Sequence, residues 1–310
     1  MVNFPKIQPD HLFETEALDK ENYKIFDIRV PCEQDFSPCT CSNTNYITCN
    51  GVSVQEVQEV FWRTNEPEIY KLQLTLPYSD IVVLPKDFLG NTSVIIIWIH
   101  QEYHQPNEFY AKLQVDPLAF RMSKNHTTDL WFKCWDWSLH TDLGFLNGFD
   151  RLTKLYLTDT DNMMAFQYLP PLPSLELLNV ENCTNLNEIV FPDVTPARLK
   201  TFYLQYNNVL DEKVANGIIS SLAKSTSADS LEHIDMSYNP RLASIPKNIS
   251  SAFPKLNFLS LNEDAISHIP SSSFVFTTPA TFIDLVGNEI RTIESGAFVG
   301  KILIAYIKTN

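Results

Sequence analysis

The chain has 310 residues, 44% of them hydrophobic, and 37 acidic against 23 basic side chains give a formal net charge of -14. That field repels polyanions and argues against nucleic acid as a partner, and no run approaches the ~18 consecutive apolar residues of a membrane span. The eight glycines never fall into GxGxxG, GxxxxGK(S/T) or GxSxG, so nucleotide loops and a nucleophile elbow find no support.

Residues 1–31 read as an acidic N-terminal extension lacking the apolar segment of a signal peptide. The expectation is that a leader has been removed. Residues 32–70 read as a cysteine-rich N-terminal cap. Cys32, Cys39, Cys41 and Cys49 are spaced C-x6-C-x-C-x7-C, a crowding that suits a zinc site or two disulfides. Glycosylation acceptors at Asn91, Asn125, Asn182 and Asn248 tip the balance to disulfides and to secretion into the extracellular space.

Residues 71–310 repeat. The segment Leu172-x2-Leu175-x2-Leu178-x-Val180-x2-Cys183-x2-Leu186-x2-Ile189 follows the leucine-rich-repeat pattern. Clear copies run through Leu152, Leu155, Leu157, Thr160; Leu199, Phe202, Leu204, Asn207; Leu231, Ile234, Met236, Asn239; Leu256, Leu259, Leu261, Asp264; and Ala280, Ile283, Leu285, Asn288. Weaker copies precede them at Leu74, Leu76, Ser79; Val94, Ile97, Ile99, Glu102; and Leu130, Phe132, Trp135. A last copy runs through Ile302, Ala305, Ile307 and Asn310. The Asn-type positions lie 23, 33, 25, 23, 24, 32, 25, 24 and 22 residues apart. The two long gaps hold insertions. One includes His104 to Lys112. The other, roughly Leu210 to Leu222, predicts a short helix from Val214, Ile218, Ile219 and Leu222.

The pattern predicts a fold. LxL places two apolar side chains on one face of a short strand. The Asn-type residue turns inward and serves backbone groups that the turn leaves unpaired. The expected architecture is an α/β leucine-rich-repeat solenoid of about ten repeats, because one repeat cannot bury its apolar face alone. A curved parallel sheet lines its concave side. Irregular, 3-10 and short helical segments line the convex side. No cysteine follows Cys183, so a cysteine-rich C-terminal cap is not expected. Either the chain is truncated or its last repeat is covered by something else, such as a partner subunit.

The residue between the two LxL positions points out of the concave sheet. That column reads Thr75, Trp98, Trp131, Tyr156, Asn179, Tyr203, Asp235, Ser260, Asp284, Tyr306. Two residues earlier stand Gln73, Ile96, Asp129, Lys154, Leu177, Thr201, His233, Phe258, Phe282, Ile304. A merely solvated face would be polar. Trp98, Trp131, Tyr156, Tyr203, Phe258, Phe282 and Tyr306 are therefore the predicted partner-binding residues. The alternative is a frame error near 97–135 that buries Trp98 and Trp131. His100 and His104 have i, i+4 spacing but straddle a strand end, so no metal is expected. Phe132 and Trp135 belong to the core. Cys183 is expected to be a buried thiol, and Cys134 is a candidate for pairing with another chain. No catalytic set and no cofactor is predicted.

Residues 32–310 resemble secreted leucine-rich-repeat proteins, whose N-terminal caps PCEQDFSPCTCSNTNYITCNG resembles. The resemblance implies the pairs Cys32–Cys41 and Cys39–Cys49. With VFWRTNEP, LPKDFLGNTS and no C-terminal cysteine cap, the chain is also similar to the non-catalytic subunits of crustacean oplophorus-luciferin 2-monooxygenase, the secreted luciferases of deep-sea shrimp. That implies a hetero-oligomer in which a separate catalytic luciferase subunit oxidises coelenterazine with emission of light. The chain itself would be no enzyme and would stabilise the complex. The alternative is a secreted recognition module of receptor, matrix or immune type.

Overall fold

The structure is a computed structural model that describes residues 34–42, 45–64, 67–102, 110–140, 142–163, 169–191, 198–276, 281–300 and 302–307. The predicted extension 1–31, Cys32, His104 and Asn310 lie outside these residues.

Thr40–Ser42 (β1) and Tyr46–Asn50 (β2) pair antiparallel. The Cys39–Cys49 disulfide braces them, with Cα atoms 4.4 Å apart. Cys41 is disulfide-bonded as well. Helix α1 (Val54–Arg63) starts at Ser53, whose hydroxyl accepts the Glu56 N–H while the Glu56 carboxylate accepts the Ser53 N–H. This reciprocal pair satisfies donors that a helix start leaves open. Val57, Val60 and Phe61 fall on one face and are buried.

The remaining strands follow in chain order. They are β3 (Glu68–Leu76), β4 (Ile81–Leu84), β5 (Ser93–Gln101), β6 (Lys112–Val115), β7 (Asp129–Lys133), β8 (Lys154–Thr160), β9 (Leu177–Cys183) and β10 (Thr201–Tyr203). After helix α2 (Glu212–Lys224) come β11 (His233–Asp235), β12 (Phe258–Ser260), β13 (His268–Ile269), β14 (Phe274–Val275), β15 (Thr281–Asp284), β16 (Thr292–Ile293), β17 (Phe298–Val299) and β18 (Ile302–Tyr306).

The result is a mostly parallel, mixed, sheet-rich α/β fold with few helices. Its main sheet has twelve strands in the order β1-β2-β3-β5-β7-β8-β9-β10-β11-β12-β15-β18, and only the β1–β2 pair is antiparallel. Alternation along each strand puts Leu155 and Leu157, Leu178 and Val180, or Ile97 and Ile99 in one continuous core. Each such side chain contributes roughly 1.5–3 kcal/mol on burial. Three two-stranded pairs, β4–β6, β13–β16 and β14–β17, add parallel pairing outside the main sheet, where irregular backing is predicted. The predicted insertion helix is α2, which buries Ala215, Ile218, Ile219 and Leu222. Its cap is Asp211, which accepts the Val214 N–H. Asp211→Ala is expected to cost about 1 kcal/mol in urea denaturation; no loss would show that tertiary packing alone fixes the helix start.

A repeated turn closes the strands. Cys134, Asp159, Asn182, Tyr206, Tyr238, Glu263 and Gly287 all adopt positive φ, between 49° and 77°. Each reverses the chain so that the next residue points inward. Those residues are Trp135, Thr160, Cys183, Asn207, Asn239, Asp264 and Asn288, all buried. Most of them donate to a carbonyl one turn upstream. The Nδ2 atoms of Asn207, Asn239 and Asn288 reach Val180, Leu204 and Leu261. Trp135 does the same with its indole N–H, to Ile99 at 3.0 Å, and the Cys183 thiol lies 3.4 Å from the Leu157 carbonyl.

Two expectations are corrected. First, β3 is displaced by two residues from its predicted frame. Leu72 lies opposite Ile97 and Leu74 opposite Ile99, so Trp98 stands beside Gln73, and Thr75 beside His100. Leu72, Leu74 and Leu76 alternate, and a slide by two keeps the same face buried. Second, Ser79 and Glu102 are exposed and do not turn inward. Gln101 is buried there instead, its Oε1 accepting the Ala111 N–H at 2.8 Å. Cys183 is the expected buried thiol, and Cys134 is buried and free as well. Burial pushes the Cys134 thiol up to about 11 and the Cys183 thiol up to about 12.

Candidate binding face

Alternation leaves the other face of the main sheet less buried. One row across it reads Gln73, Trp98, Trp131, Tyr156, Asn179, Tyr203, Asp235, Ser260, Asp284, Tyr306 in successive strands. The neighbouring row reads Lys71, Ile96, Asp129, Lys154, Leu177, Thr201, His233, Phe258, Phe282, Ile304. Among the predicted binding residues, Trp98, Trp131, Tyr156, Tyr203, Phe258 and Phe282 are half-buried, and Tyr306 is 44% exposed. Trp98 and Trp131 are on this face and not in the core.

The aromatic side chains gather into two runs. In the first, Trp98 meets Trp131 edge-on with centroids 5.0 Å apart, and Trp131 meets Tyr156 at 5.6 Å. His100 packs against Trp131 at 5.2 Å, and the Lys71 ammonium lies 3.0 Å from the Trp98 ring centroid. A cation over an indole face is favourable. In the second run, Tyr203 meets His233 at 5.2 Å and Phe282 meets Tyr306 at 5.5 Å. Between them, His233, Phe258 and Phe282 stack nearly parallel, with spacings of 4.1 and 4.9 Å. The rings of that stack cover one another's faces and turn their edges outward.

Sequence reasoning missed three members: Lys71, His100 and His233. The signal for His233 was in its column, because it shares a row with Phe258 and Phe282. Lys71 was hidden by the displaced frame of β3, and His100 by the expectation that its strand ends there, whereas β5 runs on to Gln101.

Burial sets the electrostatics. It holds His100 and His233 down to about 4, with Lys133 and Lys71 adding to the effect on His100. It lowers Lys71 to about 8. Burial also raises the Glu181 and Asp235 carboxyls, against hydrogen bonds from Asn179 and from Ser237 and Gln205. Several polar atoms here are buried and lack a hydrogen-bond partner: His100 Nε2, Asn179 Oδ1, His233 Nε2 and Asn262 Oδ1. A buried polar group of this kind costs free energy that a bound donor or acceptor would recover.

The four predicted glycosylation acceptors, Asn91, Asn125, Asn182 and Asn248, are all exposed. Asn182 is the penultimate residue of β9, with its Nδ2 donating to Asp159 Oδ1 at 2.7 Å. Among the described residues no group of three or more His, Cys, Asp and Glu is placed to hold a metal ion, and no helix is long and apolar enough to cross a membrane. No protein-family model matches the chain, and no curated protein matches it.

Proposed function

We propose that this chain is a secreted leucine-rich-repeat solenoid that acts as a binding subunit, and that the two-run aromatic face is its inner, partner-holding surface. The regular succession of parallel strands, the recurring left-handed turn and the ladder of inward amides support the solenoid reading. The observation that carries the binding reading is the face itself. Bulky aromatic side chains lie at surface positions beside buried polar atoms that have no partner. The resemblance to the luciferase subunits supplies the partner: a catalytic subunit that oxidises coelenterazine, which this chain stabilises without taking part in the chemistry.

The test is co-purification from the native secretion, followed by intact mass of each component. One polypeptide carrying the light-emitting activity is expected to travel with the chain. A Trp131→Ala/Phe258→Ala variant is expected to hold that polypeptide at least tenfold more weakly. Coelenterazine turnover by the isolated chain, or undiminished capture by the double variant, would overturn the reading.

A further inference from the structure

The two aromatic runs are separated by a polar gap whose chemistry selects what enters it. In the row across the face, Asn179 stands alone between Tyr156 and Tyr203. Strands are ~4.8 Å apart, so the two tyrosines start ~10 Å apart at the backbone, with only a short side chain between them. Asn179 is 3% exposed and donates from Nδ2 to Glu181 Oε2 at 3.3 Å, while its Oδ1 is unpartnered. Past Tyr203 in the same row is Asp235, which accepts from Gln205 Nε2 at 2.8 Å and from the Ser237 N–H at 3.0 Å.

The charge around the gap is unbalanced. Lys133 bears on Glu181 as a positive charge, but its ammonium is engaged by Asp159 at 3.3 Å. Among the described residues no Lys, Arg or His lies within 4.0 Å of Glu181 or Asp235. Asp159, Asp235 and Asp284 bear on these two carboxyls as further negative charge. A half-buried carboxylate without a cation is costly, and a cation brought by a partner would relieve it.

This inference rests on reading the face as a partner surface. We infer that the gap is a subsite for an arginine side chain of the partner protein, its guanidinium on Glu181, within reach of the Asn179 Oδ1 and walled by Tyr156 and Tyr203. A guanidinium fits the gap better than an ammonium. It is flat enough to enter between two rings, and its fork of N–H donors serves a carboxylate and an amide oxygen together. The aromatic runs on either side would then hold apolar residues flanking that arginine. The partner segment is thus specified as one basic residue between hydrophobic neighbours.

Saturation-transfer NMR on the full chain tests this with two probes, N-acetyl-arginine amide and N-acetyl-citrulline amide, which match in shape and differ in charge. The arginine probe is expected to bind at least tenfold more tightly. Glu181→Gln is expected to weaken it at least fivefold, and Asp235→Asn to weaken it less. Glu212→Gln, at an exposed position of α2, is expected to change nothing. If Glu181→Gln does not fold, as judged by its thermal transition, Asp235→Asn carries the comparison. Equal binding of the two probes, or binding indifferent to both substitutions, would overturn the subsite. That failure alone would leave the binding reading in place if partner capture still depends on Trp131 and Phe258. Capture indifferent to those two would remove both.

Discussion

Asp264→Asn is expected to stabilise the folded chain at pH 7 by on the order of 3–4 kcal/mol. Asp264 stands in the inward ladder where Asn207, Asn239 and Asn288 stand in other turns. Its Oδ1 accepts the Asn239 N–H at 2.7 Å, as an amide oxygen would. Its Oδ2 takes the place of the amide nitrogen and is buried without a partner. Asn neighbours use that atom to donate to a carbonyl, and Asp264 makes no such bond. Burial, with Asp235 and Glu263 adding negative charge, pushes the Asp264 carboxyl up to about 8, against the hydrogen bond from Asn239. The unfolded value is about 3.9. Between those two values the unfolded chain has released its proton and the folded chain still holds it. Stability therefore falls as pH rises from about 4 to 8, at roughly 1.4 kcal/mol per unit. The amide has no proton to lose, so the variant escapes this fall. Its advantage should be near its full size at pH 8 and shrink toward zero at pH 4.

The histidines of the face make the comparison sharper. His100 and His233 are held down to about 4 from an unfolded value near 6.5. A depressed histidine costs stability as pH falls through that interval, because only the unfolded chain gains the proton freely. In the native chain this loss opposes the gain from Asp264. Asp264→Asn removes that gain and leaves only the buried Glu181 and Asp235 carboxyls opposing the histidines, so the variant's stability should fall less from pH 4 to 8 than the native chain's. Urea titrations of both proteins across this range measure it. Equal stabilities at pH 8, or a difference that does not narrow on acidification, would show that Asp264 ionises normally in the fold.

What the sequence made legible follows from which patterns have unique physical solutions. From Leu152 to Leu285 the LxL spacing and the Asn-type residue lock together, and the strand register there puts Tyr156, Asn179, Tyr203 and Asp235 in the one row that spacing implies. At β3 three leucines alternate and no Asn-type residue follows, so two registers bury the same face and the pattern could not choose. The left-handed turns were hidden for another reason. Only Gly287, Asn182 and Asp159 favour positive φ by residue type; Tyr206, Tyr238, Glu263 and Cys134 adopt it because the following residue must turn inward. The aromatic columns were visible, but the gap between them was not. Asn179 reads as an ordinary polar surface residue until burial and hydrogen bonding show an oxygen with nothing to accept from.

Asn239→Ala is expected to destabilise the chain by roughly 4 kcal/mol, among the largest losses from a single polar side chain in it. Asn239 is fully buried, and its Nδ2 serves the carbonyls of Leu204, Met236 and Ser237, at 3.0 Å for Leu204 and 3.2 Å for Ser237. Its Oδ1 accepts the Asn207 N–H at 2.8 Å. Alanine leaves that N–H and several carbonyls buried and unsatisfied. Each orphaned group costs about 1–3 kcal/mol, offset in part where a carbonyl keeps a second donor. Asn207 is itself in the ladder, its Oδ1 accepting the Cys183 N–H at 2.9 Å. The bond between the two asparagines is donated by the Asn207 backbone N–H, which Asn207→Ala keeps, and their side chains serve different partners. The Asn207→Ala/Asn239→Ala double variant is therefore expected to lose the sum of the two single variants to within about 0.5 kcal/mol. Urea denaturation of the four proteins closes the cycle. A loss under about 1 kcal/mol for Asn239→Ala would mean that the inward amides merely fill space and that side-chain packing alone holds the turns together.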